Sequence, residues 1–226
     1  MCLIKLMKNY LDIIYDNKKN YSSDYDGRFA NFNVLKFQLK NKKILEIGCG
    51  KGKTINDFIN KKNDCYATDI SDYSFRFLNK RIKFFKNNID EEKLPFVDNY
   101  FDVIYSKSVI EHLNNIENFF FECKRVLKKN GILIVYTPDW ETQYINFYDD
   151  PTHVRPFTKI TMENYFKFYN FQNYKVEKFY QLPLIWNYPF LKYFARLLSF
   201  FIPIRCKIRY LRFSKELMLC GYGIKE

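Results

Sequence analysis

Histidine is nearly missing from this chain: there are two in 226 residues, His112 and His153. Any chemistry that needs a side chain titrating near neutral pH is therefore confined to two positions. With only seven glycines and seven prolines, there is no linker rich in either, and no internal repeat divides the chain. The six cysteines, Cys2, Cys49, Cys65, Cys123, Cys206 and Cys220, form no C-x-x-C pair and fall mostly within apolar runs. They read as reduced, buried thiols of a cytoplasmic protein, with no framework for disulfides or a structural metal. Long apolar runs are also lacking. The stretch from Met1 to Leu11 is broken by Lys5 and Lys8 and has no small-residue cleavage site, so neither a signal peptide nor a membrane span is expected there. Finally, no Asp or Glu occurs from Lys178 to Lys215, a segment with eight cationic side chains in a protein of net charge +12.

What is present first of all is an apolar run ending in an acid and alternating glycines, Ile44-Leu45-Glu46-Ile47-Gly48-Cys49-Gly50-Lys51-Gly52. Glycines in a strand-to-helix turn allow positive φ and close approach of a ligand to the backbone. A dinucleotide fingerprint would need glycine at position 53, which is Lys53, and no G-K-[ST] follows at P-loop spacing. A second run, Cys65-Tyr66-Ala67-Thr68, ends in Asp69 and Ile70. A third, Ile82 to Phe85, leads into Asn87-Asn88-Ile89-Asp90, and a fourth runs from Phe101 to Ser106 behind Leu94-Pro95-Phe96. Strand signals alternate with helical ones over Thr54–Lys61 and Asn115–Lys129. A fifth strand is expected over Ile132–Tyr136, then a loop from Thr137 to Thr158, a helix from Lys159 to about Phe171 and strands near 174–180 and 215–224. At 47% hydrophobic residues, the chain can cover both faces of such a sheet as one domain.

The E-x-G-x-G-x-G turn and the three runs after it resemble class I S-adenosylmethionine (SAM) methyltransferases, from about Lys42 to the last strand, and the whole pattern is similar to their type 11 group. The resemblance implies an α/β, Rossmann-like doubly wound sheet of seven mixed strands, the last antiparallel. It divides the chain into a cap (1–41), a cofactor core (42–180), a basic apolar insertion (181–214) and a last strand (215–226). SAM is the implied cofactor, held by Glu46, Gly48, Cys49, Gly50, Gly52, Asp69, Ile70, Asn88, Ile89, Asp90 and Ser106. Asp69 stands where the fold puts the ribose acid. The acid that meets adenine in the family is here either replaced by Asn88 or shifted to Asp90.

Ligands of an open parallel sheet bind beyond the carboxyl ends of its strands, which places both histidines on the site's rim. His153, in a loop with Asp149 and Asp150 available to orient it, is the expected general base for a hydroxyl acceptor. His112 opens the helix after strand four and is a second catalytic candidate, and Arg155 is expected to match a phosphate of the acceptor. The order Glu111-His112, Thr137, His153 also resembles the metal pattern of Hen1-type RNA ribose 2′-O-methyltransferases. Its first glutamate is Ser108 here, which weakens any hold on a hard cation, and no metal ligand is assigned. The type 11 resemblance implies a small acceptor, a sugar or a nucleotide- or lipid-linked glycan intermediate. The alternatives are an RNA ribose methyltransferase using a divalent metal and a cofactor-binding pseudoenzyme that serves as a scaffold. The acid-free stretch mixes its cations with Leu182 to Leu191, Phe194, Leu197, Leu198, Phe200 and Phe201. It reads as an amphipathic insertion that lies on an anionic membrane at the inner surface, covers the acceptor pocket or is an ordinary solvated face, with nucleic acid as a further partner.

Overall fold

A computed structural model describes residues 23–226; the Met1–Leu11 segment, Cys2 and much of the expected cap lie outside the described residues. Helix α1 (Ser23–Phe37) buries Tyr25, Phe29, Ala30 and Val34, a spacing that brings them to one helix face. The chain then alternates β1 (Lys43–Ile47), the single turn α2 (Ile55–Phe58), β2 (Asp64–Asp69), β3 (Lys83–Lys86) and β4 (Phe101–Lys107). Next come α3 (Ile116–Val126), β5 (Leu127–Pro138), the short α4 (Trp140–Gln143), α5 (Lys159–Phe168) and β6 (Phe171–Phe179). Helices α6 (Pro183–Asn187), α7 (Leu191–Ser199) and α8 (Arg209–Lys215) precede β7 (Met218–Lys225).

The seven strands form one sheet in the order β3-β2-β1-β4-β5-β7-β6. The first five are parallel, and β7 lies antiparallel between β5 and β6. This is the mixed sheet with an antiparallel last strand that the glycine motif implied. Successive side chains of a strand point to opposite faces, and both faces are covered. Leu45, Ile47, Ile104, Leu133 and Val135 face α3 and α5, where Phe119, Phe120, Met162 and Phe166 complete one core. Ile44, Val103, Tyr105, Ile134 and Tyr136 face the other way, toward Phe29, Val34 and Phe58. Strand order reverses between β1 and β4, which opens the crevice above their carboxyl ends.

Several boundaries differ from the sequence expectation. Helix α3 stops at Val126, not Lys129, because Leu127 turns extended (φ −68°, ψ 139°) and pairs with Phe101. Strand β5 is correspondingly long. Helix α5 ends at Phe168, and Asn170 at φ +52° breaks it before β6. The last strand begins at Met218, not 215, since Arg209–Lys215 is helical. The 137–158 segment is not wholly irregular: α4 and a 3-10 turn at Phe147–Asp149 lie within it.

Candidate functional site

The turn after β1 takes its shape from three glycines at φ +69°, +50° and +64° (Gly48, Gly50, Gly52). The amides of Gly48 and Cys49 donate to Thr68 O at 2.8 and 3.0 Å, so β2 holds the turn against the sheet. A Cβ at Gly48 would lie 2.3 Å from Val109 Cγ2, and one at Gly52 would lie 2.3 Å from Leu78 Cδ2. At Gly50 it would meet nothing within 4 Å, which makes this the open side where a ligand can come close to backbone. Asp69 closes the turn: its Oδ2 accepts from Gly50 N at 2.8 Å and its Oδ1 from Ser71 N at 2.9 Å. Burial raises its pKa, and these bonds oppose that rise. Glu46 is buried and pushed up to about 8 by desolvation, while its Oε2 accepts from Ile55 N at 3.0 Å and ties the turn to the next helix. The Cys49 thiol is driven well up by burial, so it packs beside the turn as an unreactive group.

The other expected cofactor residues divide into two kinds. Ser106 is buried and donates to Ile47 O at 3.2 Å, stitching β4 to β1. Ile89 is buried, while Ile70 and Asn88 are half-buried. Both oxygens of Asp90 accept hydrogen bonds, from Asn115 N at 2.6 Å and Asn114 Nδ2 at 3.1 Å, so this carboxylate already fastens the start of α3. The other candidate at this loop, Asn88, accepts from Asp90 N through its Oδ1 at 3.2 Å. Asp69→Ala is expected to weaken SAM binding by about 1.5–3 kcal/mol through loss of charge-assisted hydrogen bonds. Calorimetry checks it; unchanged affinity would remove Asp69 from the cofactor site.

On the opposite rim the fold brings the two histidines together, with ring centroids 4.7 Å apart. Their protons follow from their partners. Nδ1 of His153 is 2.7 Å from Phe147 O; a carbonyl only accepts, so Nδ1 carries the proton and Nε2 presents a lone pair. The Thr152 hydroxyl donates to Asp150 Oδ1 at 2.7 Å and must then accept from His112 Nδ1 at 2.8 Å. Burial is the main cause that lowers the pKa of His112, with His153 next, so its ring favours the neutral form. Of the two acids expected to orient His153, Asp149 is engaged elsewhere, gripped by Arg205 at 2.7 and 2.8 Å, and Asp150 stands at ion-pair distance from the ring, its Oδ2 4.0 Å from His153 Nε2.

Glu111, His112 and His153 present ligand atoms all within 4.8 Å of one another. Glu111 is fully buried; Thr137 Oγ1 donates to its Oε2 at 2.9 Å, while Oε1 has no hydrogen-bond partner among the described residues. Burial lifts its pKa to about 7. Arg155 points elsewhere than expected. Its guanidinium donates to Leu113 O, Asn114 O and Tyr165 Oη, at 3.5, 3.0 and 3.1 Å, fastening the histidine loop to the start of α3.

A methyltransferase-domain family model matches residues 45–135, the span that holds the glycine turn, Asp69 and strands β1 to β5. A SAM-dependent methyltransferase from Archaeoglobus fulgidus superposes with a TM-score of 0.69 over 94% of this chain and 99% of that one, at 16% identity. A phosphoethanolamine N-methyltransferase of Haemonchus contortus, solved with SAM, gives 0.63 over 96% of this chain and 59% of that one, at 14% identity. Residues 45–135 thus match a methyltransferase domain, and the chain has the fold of class I SAM-dependent methyltransferases. Among curated proteins, a ubiquinone biosynthesis O-methyltransferase of Pelagibacter ubique is 32% identical over 44% of this chain and 43% of that protein. A sterol 24-C-methyltransferase of Gibberella zeae is 30% identical over 42% and 27%. The chain thus spans less than half the length of either relative.

In this methyltransferase domain, two site groups carry no signal in the sequence. Thr152 becomes a relay only because the loop folds back on His112. Lys107, at the end of β4, lies over the Phe29 ring at 4.7 Å, with burial lowering its pKa and Asp26 and Glu46 opposing that. A lysine after a strand is unremarkable in sequence. The opposed helix α1 makes it part of the crevice.

Proposed function

We propose that the protein transfers the SAM methyl group to a hydroxyl of a small acceptor, a sugar or glycan intermediate that is nucleotide- or lipid-linked. The observation that carries this reading is His153, whose Nδ1–H is fixed on Phe147 O and whose Nε2 is left as a proton acceptor on the rim. A sulfonium methyl is already activated, so an amine free base needs little beyond positioning, whereas a hydroxyl must lose its proton during attack. In the proposed step the acceptor oxygen forms a bond to the methyl carbon in line with the breaking C–S bond. The electron pair stays on sulfur, giving S-adenosylhomocysteine, and the hydroxyl proton moves to His153 Nε2. Arg155 acts here as a positioning residue, holding the 150–157 loop to the protein.

A second reading rests on Glu111, whose buried Oε1 has no hydrogen-bond partner among the described residues and whose carboxylate lies within 4.8 Å of ligand atoms of two imidazoles. Such a donor set fits a divalent cation, which would grip adjacent hydroxyls such as those of an RNA 3′ ribose and make them more acidic. Two nitrogens and one carboxylate suit a first-row transition ion better than Mg²⁺. Transfer of labelled methyl from SAM to nucleotide sugars and lipid-linked sugars, with and without chelator, separates the two. Transfer that persists with chelator is the expected result. Loss with chelator, restored by Mn²⁺ and seen on RNA ends, would favour the second. SAM binding with no transfer to any acceptor would favour a scaffold.

A further inference from the structure

Helix α7 is amphipathic the wrong way round for a soluble protein. Its buried residue is Ala195, while Phe190, Phe194, Leu197 and Phe201, spaced to share one face, are 61%, 65%, 60% and 82% exposed. Lys192 and Arg196, both exposed, fall on the side of the helix opposite the apolar stripe. Leu184, Ile208 and Leu211 extend the exposed apolar surface across the insertion. Contiguous apolar surface of this kind marks an interaction site.

We propose that the 181–214 insertion docks the protein on an anionic lipid bilayer. An apolar face of aromatic and leucine side chains with a basic opposite face matches a helix lying at the boundary between acyl chains and acidic headgroups, where the apolar face is buried and the basic side chains reach phosphate. A segment without one acid between 178 and 215 disfavours a second copy of the same face, because pairing it with itself sets cations against cations. No helix among the described residues is long and apolar enough to cross a membrane, so the contact is peripheral. The insertion is also tied to the histidine loop by the Arg205–Asp149 pair and by Asn146 Nδ2 donating to Glu216 Oε1 at 2.8 Å. Between them lies a cleft of about 360 Å³, lined by Tyr144, Ile145, Phe200, Ile204 and Arg212 among others. Docking therefore sets the membrane beside the loop that carries His153.

This inference goes beyond the acceptor reading and is tested without any acceptor. Flotation of the full chain with phosphatidylcholine vesicles and with mixed phosphatidylcholine–phosphatidylglycerol vesicles is the measurement. The protein should float with the acidic vesicles and much less with the neutral ones, and added salt should release it as screening shortens to below about 10 Å. The double variant Phe194→Glu, Leu197→Glu should bind the acidic vesicles at least about tenfold more weakly. Both positions are exposed, so its melting transition and SAM affinity should match the parent and exclude misfolding as the cause. Equal flotation with both vesicle types, or full binding by the double variant, would overturn the proposal. So would a concentration-dependent dimer, or retention of a single-stranded oligonucleotide, that the double variant loses while the parent ignores vesicles.

Discussion

His153→Ala should lower turnover by about 10²- to 10⁴-fold, the usual worth of a positioned base, while leaving the affinity for SAM nearly unchanged. The two effects separate because the site has two shores. The glycine turn, Asp69 and Glu46 stand at the ends of β1 and β2, whereas His153 sits in the loop after β5, held by Phe147 O and tilted against His112. Steady-state rates on an identified acceptor, with calorimetry of SAM binding, check both halves. His153→Gln should not rescue the rate, since an amide can donate and accept hydrogen bonds but cannot take up the proton. Full turnover in His153→Ala would leave methyl transfer to proximity alone and would also remove the metal reading, which needs the same nitrogen.

Phe120→Ala should destabilise the fold by about 3–5 kcal/mol, the range for large-to-small changes at fully buried aromatics. The ring is the joint between two helices. It stacks on Tyr165 (centroids 5.2 Å, 7°) and Tyr169 (5.4 Å, 21°) and meets Phe119 and Phe166 edge-on. Removing it leaves a cavity between α3 and α5 that rigid neighbours on the sheet cannot close. Phe120→Leu, which keeps most of the volume, should lose clearly less. Denaturant midpoints at constant m-value measure the difference. A loss under about 1 kcal/mol for Phe120→Ala would show that this face of the sheet repacks far more freely than close-packed interiors do.

The glycine turn and its contact with Asp69 were legible in the sequence because they are local. Gly48, Gly50 and Gly52 need positive φ within five residues, and their spacing states it. Asp69 follows one strand later at a register fixed by β1–β2 pairing, in which Ile47 lies opposite Thr68. Where expectations failed, a competing local force was hidden. The periodicity of Asn115–Lys129 is helical throughout, yet Leu127 is taken by the sheet because pairing with Phe101 outweighs one more helical turn. The insertion was legible as basic and apolar, but not which way it faced. Only the packing of Ala195 shows that the stripe of Phe194 and Leu197 points outward.

By itself, then, the sequence determined the strand-turn-helix core, the place of the glycine turn and the confinement of imidazole chemistry to two positions, since each depends on neighbours a few residues apart or on composition. The tertiary structure alone decided the pairing of His112 with His153, 41 positions on, and the proton positions that follow from Thr152 and Phe147. It also decided the docking of the Arg155 guanidinium on Leu113 O and Asn114 O and the burial of Glu111 with one oxygen unpartnered among the described residues. Those features arise where loops from separate strands meet above the sheet, and no spacing along the chain encodes which hydrogen-bond partner each side chain finds there.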